Sequence, residues 1–420
     1  MTASLVLQER LLAADIGSGR FRDLGVHVGL HGPLPTTGAS TLITQVQASG
    51  LTGRGGAAFP MARKLTAVAA GAAPVVVANG AEGEPASSKD RILLSYAPHL
   101  VLDGLQLACR ATGASVAYVY VHEGPLVAQM QALVTVRAST GVDAVPVTVA
   151  SAPARFLSGQ DSAVVARLNG GPALPTAVPP PVYLRGVGRR PTLVQNVETL
   201  AHLALLARHG ASWFRSQGTD SEPGTMLCTV GGAVGAPGVL EVPIGLVLGE
   251  VIERAGAPAA GVGALLVGGY HGAWLPPGGA LDLPLSVEGL RPLGATPGAG
   301  VVIALPAGAC GLVETARAVS YLAEQSARQC GPCLNGLPAM AQTLSRLAGR
   351  DRSRGLEERL AALTATVERR GACHHPDGTV RLVRSALRVF AGEVAAHRGG
   401  VCTATDLRPV LPVPTSRVGA

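Results

Sequence analysis

Residues 75–80, Val-Val-Val-Ala-Asn-Gly, limit the folds open to this chain more than any other stretch. A short continuous apolar run between turn residues, with no polar alternation, describes a strand buried on both faces. Such strands belong to parallel sheets with helices packed on either side. The following sequence supplies the helices and further strands: helical spacing over 97–111, a strand over 115–121, a helix over 126–136 and a strand over 146–150. This alternation predicts an α/β domain. The first strand empties into a polar loop broken by glycine, Asn79-Gly-Ala-Glu-Gly-Glu-Pro, which continues to Lys89-Asp-Arg. Loops at the carboxyl ends of buried strands are where open α/β sheets bind ligands.

A second loop precedes that strand. Residues 50–64 carry Gly50, Gly53, Gly55 and Gly56 around Arg54, then Phe59, Pro60 and Lys64. Successive backbone N–H groups in such a turn form an anion-binding concavity, and a nearby lysine adds a point charge. The spacing is neither G-x-G-x-x-G nor a P-loop, so a phosphate cradle and a plain Gly-rich surface turn are the two readings. Lysine occurs only at Lys64 and Lys89, every other basic side chain being arginine; this favours a functional role for both. Glu82 and Glu84, with Asn79 and Lys89 in one loop, are suited to sugar hydroxyls or to orienting a nicotinamide; solvated loop carboxylates are the alternative. Gly159, Gln160, Asp161 and Ser162 form another polar turn, in which Asp161 and Ser162 read equally as helix caps. Residues 193–209 read as one helix, with Asn196 as its N-cap.

Composition excludes several classes. The net charge of +7 comes without basic runs or basic–aromatic interleaving, which argues against nucleic acid. No apolar run reaches the ~18 residues of a membrane span, and no leader pattern is evident, so the expectation is cytoplasmic. Beyond residue 224 the pattern changes to a hairpin (226–230 with 238–242), a helix and a strand. This is a small α+β module in which Tyr270 and His271 read as structural. From 311 onward the sequence is helical. The seven cysteines do not resemble a disulfide framework. Cys330 and Cys333 form a C-x-x-C, and Cys373 lies forty residues on, next to His374. Thiolates suit both zinc and iron–sulfur clusters, and a zinc site of Cys330, Cys333, Cys373 and His374 is the alternative to a cluster.

In this order the motifs resemble the NADH-binding flavoprotein subunit of respiratory complex I and its relatives in NAD-linked hydrogenases and formate dehydrogenases. The likeness runs from about residue 45 to 400. It implies a Rossmann-like flavin domain over 1–215 and a β-grasp domain of the soluble-ligand-binding type over 220–305. A helical iron–sulfur domain over 309–400 and a tail over 401–420 complete the chain. By the same resemblance, Gly53, Arg54, Gly55, Gly56 and Lys64 match the flavin-phosphate loop, and Phe59 the aromatic on the nicotinamide side. Asn79, Glu82, Gly83 and Glu84 match the loop touching flavin and NADH, Glu84 orienting the nicotinamide. Gly159, Gln160 and Asp161, with Asn196 and Thr199, match two further cofactor turns. Cys330, Cys333 and Cys373 match cluster ligands.

The sequence also departs from that pattern. The family's Asp is Ala81 here, and its adenine-stacking segment becomes Val178-Pro-Pro-Pro-Val182. Leu65 and Ala67 stand near where a further aromatic is usual. Each lost aromatic contact weakens nucleotide stacking by about 1–3 kcal/mol, so FMN is better supported than NAD(H). The first cysteine of the family's C-x-x-C-x-x-C falls on Ala327. A three-iron cluster, a fourth ligand from Ser326, His374 or His375, or no cluster are the options. The reading is a flavoprotein electron-transfer subunit that passes electrons from NAD(P)H through FMN to an iron–sulfur centre or partner redox subunit. The alternatives are a redox-diverged docking scaffold and an FMN protein served by a ferredoxin-like partner.

Overall fold

The computed structural model describes residues 9–12, 22–177, 180–256 and 261–414. Its first sheet is wholly parallel, in the order β3-β2-β1-β4. The strands are β1 Val75–Gly80, β2 Val116–His122, β3 Val147–Ala152 and β4 Thr192–Asn196. Val75, Val76, Val77 and Ala78 are all buried, as a run without alternation requires. Helices α1 Leu24–His31, α2 Ala39–Ser49, α3 Met61–Ala69, α4 Lys89–Tyr96, α5 Pro98–Thr112, α6 Pro125–Ser139, α7 Asp161–Leu168 and α8 Val197–Arg215 accompany it. α5 and α8 cross closely because Gly104 has no side chain; a Cβ there would lie 1.9 Å from the Leu200 carbonyl oxygen.

The strand β4 corrects the sequence reading. Residues 193–209 do not form one helix: 192–196 pair with β1, and α8 begins at Val197 and breaks at Gly210. Apolar spacing runs through both parts and hides the junction. Asn196 marks it, its side chain accepting the Glu198 N–H at 3.0 Å. The chain moves from β1 outward through β2 and β3, then returns to add β4 on the other side of β1. That reversal makes a crevice at the carboxyl ends of β1 and β4, and the register sets Asn79 beside Asn196 there.

The second sheet has the order β6-β5-β9-β7-β8, from β5 Thr225–Gly232, β6 Gly238–Pro243, β7 Val262–Val267, β8 Ala273–Leu275 and β9 Val301–Pro306. The expected hairpin is the antiparallel β5–β6 pair. The sequence pattern shows neither β8 nor β9, yet β9 is the central strand, parallel to β5 and antiparallel to β7. Its six residues stand between Gly300 and the Ala307-Gly308 turn, too short to give a periodic signal. One face packs on α9 Leu248–Arg254, followed by the short turns α10 Pro277–Ala280 and α11 Val287–Leu290. On the other face Trp274 and Ile303 share a core with Leu312, Val319, Leu382 and Phe390 of the helical region. That region comprises α12 Gly311–Glu324, α13 Leu337–Ala348, α14 Leu356–Val367, α15 His375–Val389 and α16 Ala391–Arg398. Among the described residues no single helix is long and apolar enough to cross a membrane.

Candidate functional site

Loops from both sheets and the helical region surround one cavity of about 630 Å³. The Gly-rich loop contributes Gly53, Gly55, Gly56, Phe59 and Lys64; the loop after β1 contributes Asn79, Glu82, Gly83 and Glu84. Gly159, Gln160 and Asp161 close another side, and Asn196 comes from the end of β4. The wall continues through Gly268 and His271 of the second sheet to Cys373, His374 and His375. Residues scattered over more than three hundred positions thus share one space.

Backbone crossings hold the loops together. Asn79 Nδ2 donates to the Gly159 carbonyl at 2.7 Å, and its Oδ1 accepts from the Ala81 N–H at 3.3 Å. The two loops touch at their glycines: a Cβ on Gly83 would lie 2.1 Å from the Phe156 carbonyl oxygen, and one on Gly159 2.2 Å from that of Ala81. The Gly-rich loop is pinned by the Gly53 N–H to the Phe59 carbonyl (2.9 Å) and the Arg54 N–H to Thr199 Oγ1 (2.8 Å). Thr199 therefore acts from beneath the loop rather than from the cavity wall. The cap of α7 is Gln160, whose Oε1 accepts from the N–H groups of Ser162 and Ala163; neither Asp161 nor Ser162 takes that role. Asp161 instead accepts from Lys64 Nζ at 3.0 Å, and Lys64 also donates to the Val194 carbonyl at 2.9 Å.

The guanidinium of Arg54 turns away from this cavity. It donates to Thr52 Oγ1 and the Pro223 carbonyl, beside a smaller cavity of about 140 Å³ that Glu198 and Glu222 also line. Burial lowers its pKa, against the opposing charges of those two carboxylates. Lys89 and Asp90 also line the cavity, and Lys89 sits in a buried cluster there, 2.7 Å from Asp90, 2.8 Å from Glu198 and 3.2 Å from Asn196 Oδ1. Burial acts to push Glu198 up, but Lys89, His202 and Arg54 together hold it down at about 2.

Glu82 and Glu84 are half-buried on the cavity wall and hydrogen-bonded rather than free loop carboxylates. Glu82 accepts from Ser87 Oγ and from the N–H groups of Asp90 and Arg91 at the start of α4. Burial and the neighbouring Asp90 raise it to about 7. Glu84 accepts from the Tyr270 N–H at 2.7 Å and the Ala86 N–H at 3.1 Å, and burial raises it to about 7 despite those bonds. The carboxylate thus ties the loop after β1 to the turn after β7. Next to that turn His271 Nε2 meets His375 Nδ1 at 3.0 Å, and His375 Nε2 donates to the Leu322 carbonyl at 2.8 Å. Phe156 packs against both rings. By sequence His271 reads as an isolated structural residue; its partner lies 104 positions away.

Cys330 lies just before the wide helical turn at Pro332–Gly336 that leads into α13 and Cys333 within it, and their thiols interact with each other and with Cys373. Cys330 and Cys333 do not line the cavity; Cys373 does. Both ring nitrogens of His375 are engaged, which removes it as a fourth ligand in this arrangement. Ser326, directly before Ala327, is buried and its Oγ has no hydrogen-bond partner among the described residues.

Comparison with known proteins agrees with this geometry. Residues 46–205 match the Nuo51 FMN-binding domain, and residues 314–397 match the NADH-ubiquinone oxidoreductase-F iron–sulfur binding region. The second NADH-quinone oxidoreductase-F protein of Rhizobium meliloti is 30% identical over 403 residues, spanning 92% of this chain and 94% of its own. The chain belongs to the NADH-quinone oxidoreductase-F family. The member of that family from Streptomyces coelicolor is 29% identical over 384 residues, covering 86% of this chain and 83% of its own. Crystal structures of an NAD+-reducing NiFe hydrogenase superpose with TM-scores of 0.80 in the H2-reduced state and 0.83 in the air-oxidised state, at 31% and 29% identity. They cover 86% and 94% of this chain, which spans only 65% and 68% of the hydrogenase chains.

As a member of the oxidoreductase-F family the chain is a flavoprotein electron-transfer component of an oxidoreductase. The cavity fits a bound flavin: Gln195, on its wall, keeps a buried Oε1 without a partner among the described residues, next to the Gly-rich cradle. For a cluster the region offers the free thiols of Cys330, Cys333 and Cys373. Val178 and Pro179 of the altered adenine segment lie outside the described residues. Leu65, near the missing aromatic, is fully buried in α3 and does not line the cavity.

Proposed function

We propose that the chain binds FMN over the carboxyl ends of β1 and β4, accepts reducing equivalents there from NAD(P)H, and delivers electrons to an iron–sulfur centre at Cys330, Cys333 and Cys373. One observation carries the reading: a single cavity is bounded by the flavin loops on one side and by the Cys373 loop on the other. Lys64 and the backbone of Gly53, Gly55 and Gly56 hold the phosphate, and Asn79, Glu82, Gly83, Gly159, Gln160, Asp161 and Asn196 shape the remainder of the site. Phe59, 42% exposed at the mouth, takes the nicotinamide side. Glu84, fixed by two backbone N–H groups, orients the nicotinamide. Bound FMN supplies the conversion of a hydride's electron pair into single-electron transfers. Ser326 Oγ is the non-cysteine fourth donor best placed in sequence to replace the ligand lost at Ala327. Division into a flavin domain to residue 215, a β-grasp domain over 220–305 and a cluster domain over 309–400 belongs to the same proposal. So does a cytoplasmic setting among other redox subunits.

A second reading, electron supply from a ferredoxin-like partner, is favoured by the loss of the adenine-stacking aromatic. Flavin and iron content of anaerobically purified protein, followed by mixing with NADH, separates the cases. Bleaching of the flavin supports the NADH-linked reading. Persistence of the oxidised spectrum at millimolar NADH transfers the donor role to a protein partner, and a colourless, iron-free protein sinks both.

A further inference from the structure

Away from the cavity, the tail after α16 brings a cysteine beside a buried cysteine and histidine. We propose that Cys310, His397 and Cys402 bind a structural zinc ion, with Glu393 as the nearest fourth donor. Among the described residues these are the three side chains whose donor atoms all lie within 4.8 Å of one another. Cys310 Sγ is 3.6 Å from His397 Nε2 and 3.2 Å from Glu393 Oε2. A tetrahedral zinc with Zn–S near 2.3 Å and Zn–N near 2.0–2.1 Å sets sulfur and nitrogen about 3.6 Å apart. The Cys310–His397 pair already has that spacing.

The tautomer is already set. His397 Nδ1–H donates to the Leu347 carbonyl at 3.2 Å, which leaves the Nε2 lone pair towards Cys310; metal-bound histidines are oriented by this kind of outer hydrogen bond. Glu393 and His397 stand one turn apart on α16, and Cys310 precedes α12. The tail is brought in by the N–H groups of Thr405 and Asp406, both donating to the Gly308 carbonyl at 2.9 Å. Cys310 and His397 are buried, whereas Cys402 is half-buried, which leaves an entry path. Cys310, Cys402 and His397 supply two thiolates and an imidazole; Glu393, whose Oε2 also accepts from the Leu312 N–H at 3.2 Å, would have to move towards all three to close the set. The ion would clamp the tail and α16 onto the loop that joins β9 to α12.

The test is the zinc and iron content of untagged full-length protein made in zinc-supplemented medium. One zinc per chain is expected in the wild type and in Cys373→Ser, and none in Cys402→Ser or His397→Ala. Zinc that survives Cys402→Ser but is lost in Cys373→Ser would place the metal with Cys330 and Cys333 and overturn the proposal. A zinc-free wild type with a Cys310–Cys402 disulfide in its peptide map would overturn it as well. Zinc-edge X-ray absorption of the wild type needs no variant to fold: two sulfurs per zinc are expected, and three would refute the assignment.

Discussion

Replacing Lys89 by methionine removes one charge from a buried, closely paired cluster. The lysine, Asp90 and Glu198 side chains are 3%, 8% and 1% exposed, and the ammonium lies 2.7 and 2.8 Å from the two carboxylates. Breaking a buried ion pair by deleting one partner costs about 3–5 kcal/mol, because the remaining charge is stranded. The carboxylate side gives a similar figure. Glu198 is held at about 2 against an ordinary 4.5, a depression worth about 3 kcal/mol. A depressed carboxylate contributes stability that is complete above pH 4.5 and lost as pH falls from there towards 2. The deficit of Lys89→Met should therefore be full at pH 7 and shrink below pH 4.5. Native-state hydrogen exchange of the β1, β4 and α8 amides reads this local opening in a chain too large for simple two-state melting. Exchange about a hundredfold to a few thousandfold faster is expected at pH 7. A change under about 1 kcal/mol, or a deficit that stays constant down to pH 3, would show that Lys89 does not support the site in this way.

Two further substitutions probe the cavity. Gly159→Ala places a Cβ 2.2 Å from the Ala81 carbonyl oxygen and must push the two loops apart. Overpacking of about 1–3 kcal/mol should weaken FMN binding roughly five- to a hundredfold in a fluorescence titration of deflavinated protein; wild-type affinity would mean that the loops yield without affecting the flavin. Glu84 is raised from 4.5 to about 7, so its contribution is complete below pH 4.5 and disappears as pH rises through 7. The Tyr270 amide should lose about 3 kcal/mol of protection over that interval, while Glu84→Gln should lose less. Equal slopes in the two proteins would rule out Glu84 as the titrating group.

The first sheet is largely legible because its strands are buried on both faces and its crossovers are helical. β4 is not, since five strand residues merge into the apolar stripe of α8 and only the Asn196 cap marks the boundary. The rarity of lysine singles out two residues that the fold holds in different ways. Both line the cavity, Lys64 partly exposed and paired with Asp161, Lys89 buried among Asp90, Glu198 and Asn196. Arg54 misleads in one respect: its N–H helps fix the Gly-rich loop, while its guanidinium leaves for the Pro223 carbonyl. Burial decides that direction, and a Gly-Arg-Gly-Gly string carries no record of burial.

What no local pattern could reveal is how much of the flavin-side wall is held by the rest of the chain. The Glu84 carboxylate ends on the Tyr270 N–H, the Ser88 N–H donates to Thr229 Oγ1 at 3.0 Å, and the Phe156 N–H donates to Gln325 Oε1 at 3.1 Å. Each contact joins a cavity loop of the first sheet to the second sheet or to the helical region, across 141 to 186 residues. The loops after β1 and β3 therefore depend for their positions on elements that carry no flavin motif. This dependence gives a physical reason for the second sheet to sit between the flavin and cluster regions. The Tyr270–His271 turn touches Glu84 on one side and His375 on the other, which links the loop that carries Cys373 to the carboxylate at the cavity through two adjacent residues.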